Sequence, residues 1–302
     1  MSLLDRVREC TQHDPTRFVP FLVEGRRAGR VRRDRLALLA ELSGDTLQVS
    51  DAAVHLAPEL SDFDARTSAM ADVVAGLADR GLVPAWAHEL FSVAPGFGAP
   101  AWFALERAAL PLFGIPAYGV HLHGIVLRED GPWLWIARRS RGRHTYPGQL
   151  DNMVAAGQPH GLSVADNLVK ECAEEAGLDE ALARTATPTG AVSYTLDVER
   201  GLRDDTLFLY ELVLPEDFTP RNTDGEVESF ELMPARDVLR LVAETQSFKF
   251  NCNLTSSSGT DSYDPTRRTT SPSCANCTEA DGGQRSGGRR QRTGLGAPTT
   301  TA

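Results

Sequence analysis

Apolar and polar positions along the chain fall into two regimes with a change near residue 115. In the first part, Phe18-Val19-Pro20-Phe21-Leu22-Val23 and Ala28-Gly29-Arg30-Val31 are short apolar runs around a turn at Glu24-Gly25-Arg26, the pattern of two paired strands. Leu36 to Leu42 and Met70 to Leu77 repeat their apolar residues at helical spacing, and Ala101 to Leu110 is predicted as a third helix. Gly114-Ile115-Pro116 then interrupts the chain. Beyond it Tyr118 to Leu127 alternates as a strand, Asp130-Gly131-Pro132 turns, and Trp133 to Ala137 returns as its neighbour. Leu150 to Ala155, Gly190 to Val198, Thr206 to Leu214 and Val227 to Met233 read as further strands, and Ala235 to Glu244 as a closing helix.

One helix stands apart. Val164 to Ala176 is bounded by Ser163, a good N-cap, and by Gly177, a good C-terminal stop. At 100° per residue, Glu171, Glu174 and Glu175 share an arc of roughly 100°. Val169, Cys172, Ala173 and Ala176 form an apolar stripe elsewhere, so the stripe is expected to pack while the acids look outward. Three like charges so close need a cation among them, and a hard divalent ion held by carboxylate oxygens meets that need. A solvated acidic face is the plainer alternative. A mixed sheet with a helix inserted after its early strands makes the second part an α/β (α+β) domain behind a small α+β domain. The expected division is 1–115, 116–250 and a tail, 251–302.

At 302 residues and 41% apolar composition the chain can bury a proper core. A net charge of −10 speaks against nucleic acid as the main partner. The 29 arginines are accompanied by only two lysines, Lys170 and Lys249, which makes the lysine beside the three acids conspicuous. There is no secretory pattern at the start and no apolar run of membrane-spanning length. The odd count of five cysteines fits a reducing compartment, so a cytoplasmic protein without a membrane partner is expected. From Thr255 onward Ser, Thr, Gly, Arg and Pro dominate, the composition of a disordered segment, and Cys274-Ala-Asn-Cys277 within it is at best half a zinc site.

Working back from the acids, Ala155 to Ser163 is a glycine-containing loop entering the helix. Loop, helix and acids together resemble the Nudix box, G-x5-E-x7-R-E-U-x-E-E-x-G-U with U apolar. Glu171, Cys172, Glu174, Glu175, Gly177 and Leu178 fall on its second half. Ala156, Leu162 and Lys170 stand in the slots of its first Gly, early Glu and Arg. These departures, with the runs Tyr146 to Ser163 and Asn167 to Gly177, resemble a narrower Nudix subfamily. It is related to the Nudix part of fungal thiamine pyrophosphokinase fusions and to plant and yeast thiamine-diphosphate Nudix hydrolases. Residues 15–254 carry the resemblance, including the extra N-terminal domain. Relatives continue after Phe248-Lys249-Phe250-Asn251-Cys252-Asn253 with an apolar helix, whereas this chain switches to Ser and Thr, as an altered C-terminus would.

The resemblance implies a Nudix mixed-sheet α/β/α sandwich and a hydrolase dependent on Mg²⁺ or Mn²⁺. Its small-molecule substrate would be a diphosphate, foremost thiamine diphosphate or an oxidised derivative, in metabolite repair. A nucleoside-diphosphate-type substrate and a non-catalytic binding module are the alternatives. Glu171 and Glu175 are expected to ligate metal directly, with Glu174 a ligand or proton acceptor and Lys170 orienting it at i+4. Glu226 is a candidate further ligand or base, with a plain surface turn as the competing reading. Gly157 and Gly161 of the loop, Arg139 of the basic stretch 138–143 and Tyr146 are the candidate substrate contacts. His121 and His123 alternate on one strand without a third partner and read as internal hydrogen-bonding residues, and Trp133 and Trp135 as packing residues.

Overall fold

The computed structural model describes residues 3–259, and these belong to one compact unit. Helix α1 (Leu3–Glu9) precedes a hairpin of β1 (Phe18–Val23) and β2 (Arg26–Arg32). Glu24 and Gly25 at its turn both have positive φ, as a tight turn with right-handed strand twist requires. Helix α2 (Leu36–Leu42), β3 (Leu47–Val49) and β4 (Val54–Leu56) follow, giving a four-stranded sheet in the order β2-β1-β4-β3. Helix α3 (Phe63–Asp79), capped by the Asp62 side chain, packs its Met70, Val73, Val74 and Leu77 into the same core.

A second hairpin, β5 (Leu90–Val93) and β6 (Phe103–Glu106), leads into the short helix α4 (Leu110–Phe113). The expected helix over Ala101–Leu110 is therefore corrected. Phe103, Ala104, Leu105 and Glu106 are all buried, so this unbroken run is a strand covered on both faces. A four-residue apolar run followed by a helical turn gives the same periodicity signal as one longer helix.

Strands β7 (Pro116–Arg128), β8 (Gly131–Arg139), β9 (Leu150–Asn152) and β10 (Val154–Gly157) come next, then α5 (Val164–Ala176) and α6 (Glu180–Ala183). Strands β11 (Thr187–Val198), β12 (Gly201–Val213) and β13 (Val227–Pro234), helix α7 (Ala235–Glu244) and helix α8 (Cys252–Gly259) complete the described chain. The mixed seven-stranded sheet runs β11-β12-β7-β8-β13, with β12 parallel to β7, β10 beside β7 and β9 beside β8. On β7, Val120, Leu122 and Val126 pack with Leu168, Cys172 and Ala176 of α5. Ile125 packs with Val238, Val242 and Cys252 of α7 and α8 in a separate cluster. Helices thus cover both faces, the α/β/α sandwich expected from the sequence.

The ends of the described chain meet. Arg6 of α1 is almost wholly buried and donates from Nε to the Val242 carbonyl at 3.2 Å, and Cys10 lies 3.2 Å from the Phe250 carbonyl. Residues 3–10 therefore pack on the second part of the chain and not on the first sheet. A tail beginning at residue 251 is also corrected: Asn251 to Thr255 are buried. Thr255 Oγ1 donates to Asn152 Oδ1 at 2.8 Å, and the apolar Cys252 and Leu254 fill internal clusters. The rest of the expected disordered segment, with Cys274 and Cys277, lies outside the described residues.

Candidate active site

Helix α5 is built as its sequence dictates. Ser163 Oγ accepts the Asp166 N–H at 3.1 Å, and Gly177 takes the left-handed conformation at φ 66° while its N–H returns to the Ala173 carbonyl. The orientation of its acids departs from the expected outward face. Glu171 and Glu175 are buried, at 8% and 6% exposure, and only Glu174 is open to solvent. Ala173, placed in the packing stripe by periodicity, is exposed, and Asn167 is buried in its stead. The arc of acids lies at the seam where β10 meets the helix, so that one flank is covered.

Glu175 Oε2 accepts the Ala155 N–H of β10 at 2.8 Å. Lys170 Nζ bridges Glu171 Oε1 at 3.0 Å and Glu174 Oε2 at 2.6 Å, the expected i+4 pair and one more. Burial pushes the Glu175 carboxyl up to about 8, with the negative charges of Glu171, Asp151 and Glu226 adding to the effect against the Ala155 N–H. Burial also raises Glu171, offset in part by Lys170 and reinforced by Glu174 and by Glu89 of the amino-terminal half. A buried carboxylate among carboxylates is an arrangement that suits a divalent ion. The donor set is all oxygen, which suits a hard ion.

Glu226 precedes β13 and is half exposed; it pairs with Arg143. Asp224, which the sequence reading left unassigned, accepts the Glu226 N–H at 2.8 Å. Its own carboxyl is raised by burial and by the nearness of Glu226 and Glu174. The structure therefore brings Lys170, Glu171, Glu174, Glu175 and Glu226 into one electrostatic neighbourhood and adds Asp224 and Glu89. A Glu or Asp in a loop carries no periodic signal, which is why these two were silent in the sequence.

Arg139 is corrected as a substrate contact. Its guanidinium is buried, bonds Asp151 Oδ2 at 2.9 Å from Nη1, and donates to the Thr145 carbonyl from Nε and Nη2. Tyr146 is likewise engaged internally: its ring lies 5.5 Å from that of Phe250, which meets Tyr194 edge-on. Gly157 is half-buried, with its carbonyl bonded by Asn167 Nδ2 at 2.8 Å, and Gly161 is exposed at φ 87°. His121 and His123 are buried as expected for internal residues, and His121 Nδ1 pairs with Asn152 Oδ1 at 2.7 Å.

Among the described residues, His121, Asp151 and Cys252 have the mutual spacing of metal ligands. Asp151 already holds two cations there, Arg139 and Lys249 at 3.3 Å, and accepts from the Cys252 thiol. A metal ion would leave that buried cluster with excess positive charge, so the group reads as an internal ion network.

Two families match successive parts of the chain. A family described as a domain of unknown function matches residues 2–117, and the NUDIX domain family matches residues 117–254. The chain is 46% identical over 264 residues to Nudix hydrolase 20, chloroplastic, of Arabidopsis thaliana, covering 84% of this chain and 70% of that protein. It is 41% identical over 258 residues to Nudix hydrolase 24, chloroplastic, of the same plant, with the same coverage of both chains. Among solved structures, the NUDIX domain of Shewanella oneidensis NrtR complexed with ADP ribose aligns with a TM-score of 0.39 at 13% identity. That alignment covers 50% of this chain and 90% of the other. Nudix enzymes act on small-molecule diphosphates and generally use divalent ions. With the acids of α5 set as described and two relatives above 40% identity over most of their length, the chain belongs to the Nudix hydrolases.

Proposed function

We propose that this hydrolase cleaves the diphosphate of thiamine diphosphate, or of an oxidised derivative, to the monophosphate and phosphate, using Mg²⁺ or Mn²⁺. The observation that supports the metal dependence is Glu175, buried beside Glu171 on the same helix and held by the Ala155 N–H. The substrate class is supported by the resemblance of residues 146–163 and 167–177 to thiamine-diphosphate Nudix hydrolases.

When bound, a divalent ion neutralises phosphate charge and makes water more acidic. The chain's own part is to hold and move protons. Ala155 fixes one oxygen of Glu175. Lys170 keeps Glu171 and Glu174 turned toward each other against their repulsion. In the reaction the oxygen of water bonds to one phosphorus, and the bridging P–O bond breaks with its electron pair leaving on the other phosphate. The proton of the attacking water passes to a carboxylate of the set Glu174, Glu175 and Glu226. Leu162, in the slot of an acid, is exposed.

Phosphate release measured on thiamine diphosphate, oxothiamine diphosphate and a set of nucleoside diphosphates, with and without Mg²⁺ or Mn²⁺, tests the proposal. Preference for the thiamine compounds, lost on Glu175→Gln, is expected. Preference for nucleoside diphosphates would replace the substrate, and no release from any diphosphate would reject the reaction.

A further inference from the structure

The arginines of the basic stretch 138–143 stand in four different environments. Arg138 donates to the Gly148 carbonyl at 3.0 Å, and Arg139 is buried against Asp151. Arg141 is 82% exposed and reaches Glu228 at 3.4 Å. Arg143 is one-quarter exposed and pairs with Glu226, an acid of the candidate site. The basic stretch therefore meets the site at one guanidinium.

Backbone contacts hold this pair in place and tie it to α5. The Ser140 N–H donates to the Glu226 carbonyl at 2.8 Å, and the Arg143 N–H closes a turn onto the Ser140 carbonyl at 3.2 Å. From the other side, Thr223 donates to the Glu174 carbonyl, from its N–H at 3.0 Å and from Oγ1 at 2.8 Å. The Arg221 N–H donates to the Ala176 carbonyl at 2.9 Å, and Asp224 accepts the Glu226 N–H at 2.8 Å. Glu226 is three residues beyond Thr223, a span of at most about 11 Å. The ion pair is thus hung on the end of the helix that carries the acids.

Charge gives this pair two alternative partners. In the arrangement seen, the guanidinium neutralises Glu226. A divalent cation among the acids would satisfy that carboxylate in its place and repel the guanidinium. A diphosphate brings negative oxygens that the planar fork of arginine binds two at a time. Lys170 is already committed to Glu171 and Glu174. We propose that Arg143 is a phosphate-binding residue of this site, held by Glu226 at rest and transferred from Glu226 to the substrate diphosphate when a divalent ion binds. This rests on the diphosphate-hydrolase reading above.

Binding of inorganic pyrophosphate to the full chain with EDTA present, measured by calorimetry, tests the exchange without metal or turnover. Glu226→Gln releases the guanidinium and tightens binding about tenfold, and adding Arg143→Gln to the same chain removes the gain. Glu228→Gln, which removes the same charge beside Arg141, gives little. Free Mn²⁺ followed by electron paramagnetic resonance supplies a second readout: Arg143→Gln leaves Glu226 unpaired and tightens Mn²⁺ binding several-fold. At saturating Mn²⁺ the same variant raises KM for thiamine diphosphate by roughly tenfold, more than it lowers kcat, and Arg143→Lys recovers part of the loss. No gain in Glu226→Gln, a gain that survives Arg143→Gln, or an equal gain in Glu228→Gln overturns the proposal. Unchanged or weaker Mn²⁺ binding in Arg143→Gln overturns it as well. A chain that splits no diphosphate rejects the proposed function, whereas the pyrophosphate titration decides this inference without turnover.

Discussion

Replacing Glu175 with Gln is expected to stabilise the metal-free protein while abolishing its reaction. The carboxyl is buried and its folded value is about 8, against 4.5 for the ordinary side chain. Near pH 7 the unfolded chain has released this proton and the folded chain still holds it. About 2.5 units of proton affinity then favour the unfolded state, or about 3 kcal/mol at about 1.4 kcal/mol per unit. The sign follows from proton counts. Between 4.5 and about 8 the folded state binds more protons, so wild-type stability falls as pH rises through that window. Glutamine keeps an oxygen to accept the Ala155 N–H, offers its amide to the neighbouring acids and has no proton to lose. Urea denaturation with a chelator present, repeated across pH, measures the difference: up to about 3 kcal/mol in favour of the variant near neutrality, shrinking toward zero in acid. Added Mn²⁺ should then stabilise the wild type and leave the variant nearly unchanged. A metal-free variant no more stable than the wild type near pH 7, or one whose stability falls with pH in parallel with it, would refute the reasoning.

Three further outcomes follow from the same structure. Asp151→Asn leaves Arg139 and Lys249 buried without their shared partner and should cost about 3–5 kcal/mol in thermal or urea unfolding. Burial alone would raise the Asp151 carboxyl, but Lys249, His121 and Arg139 bring it down to about 2. The stability it contributes is present above the ordinary value of 3.8 and lost as pH falls toward 2, so acid unfolding of the variant should be flatter in that range. Lys170→Met should lower phosphate release by at least tenfold while moving the unfolding midpoint little, because the lysine is largely exposed and its bonds serve orientation. Ending the chain at Lys249 should destabilise the fold by several kcal/mol, measured by urea unfolding, since it removes the buried Cys252, Leu254 and Thr255.

What was legible in the sequence was whatever the chain writes locally. Ser163 and Gly177 mark the ends of α5 to the residue because capping and the left-handed stop are local events. The period-two runs locate β7, β8, β12 and β13, with ends shifted by at most five residues. Phe103–Glu106 carries no strand signal in the sequence because burial on both faces removes the alternation that identifies a strand. Arg139 looked like a surface charge in a basic stretch, and only Asp151, twelve residues on and across a strand pair, explains its burial. The composition change at residue 255 marked the end of the core too early by helix α8, whose first turn is fixed by Asp151 and Asn152 from far upstream.

The acids of α5 show why the same local rules place three carboxylates on one arc and yet misjudge its surface. Helical periodicity places Glu171, Glu174 and Glu175 on one arc, but it carries no information about the strand that covers part of that arc. Once β10 lies against it, the three residues are no longer equivalent. Lys170 reaches Glu171 and Glu174 and leaves Glu175 to a backbone N–H. One N–H does not offset the burial of a full charge, so the Glu175 carboxyl is pushed up to about 8. The instability of the metal-free carboxylate and the affinity for a metal are then one electrostatic deficit measured in two ways. A chain that removed the deficit by putting an arginine or an apolar residue at 175 would fold more firmly and would have no place for the ion. Under the proposed function, the burial that makes this helix look poorly designed as a surface is what fits it to hold metal.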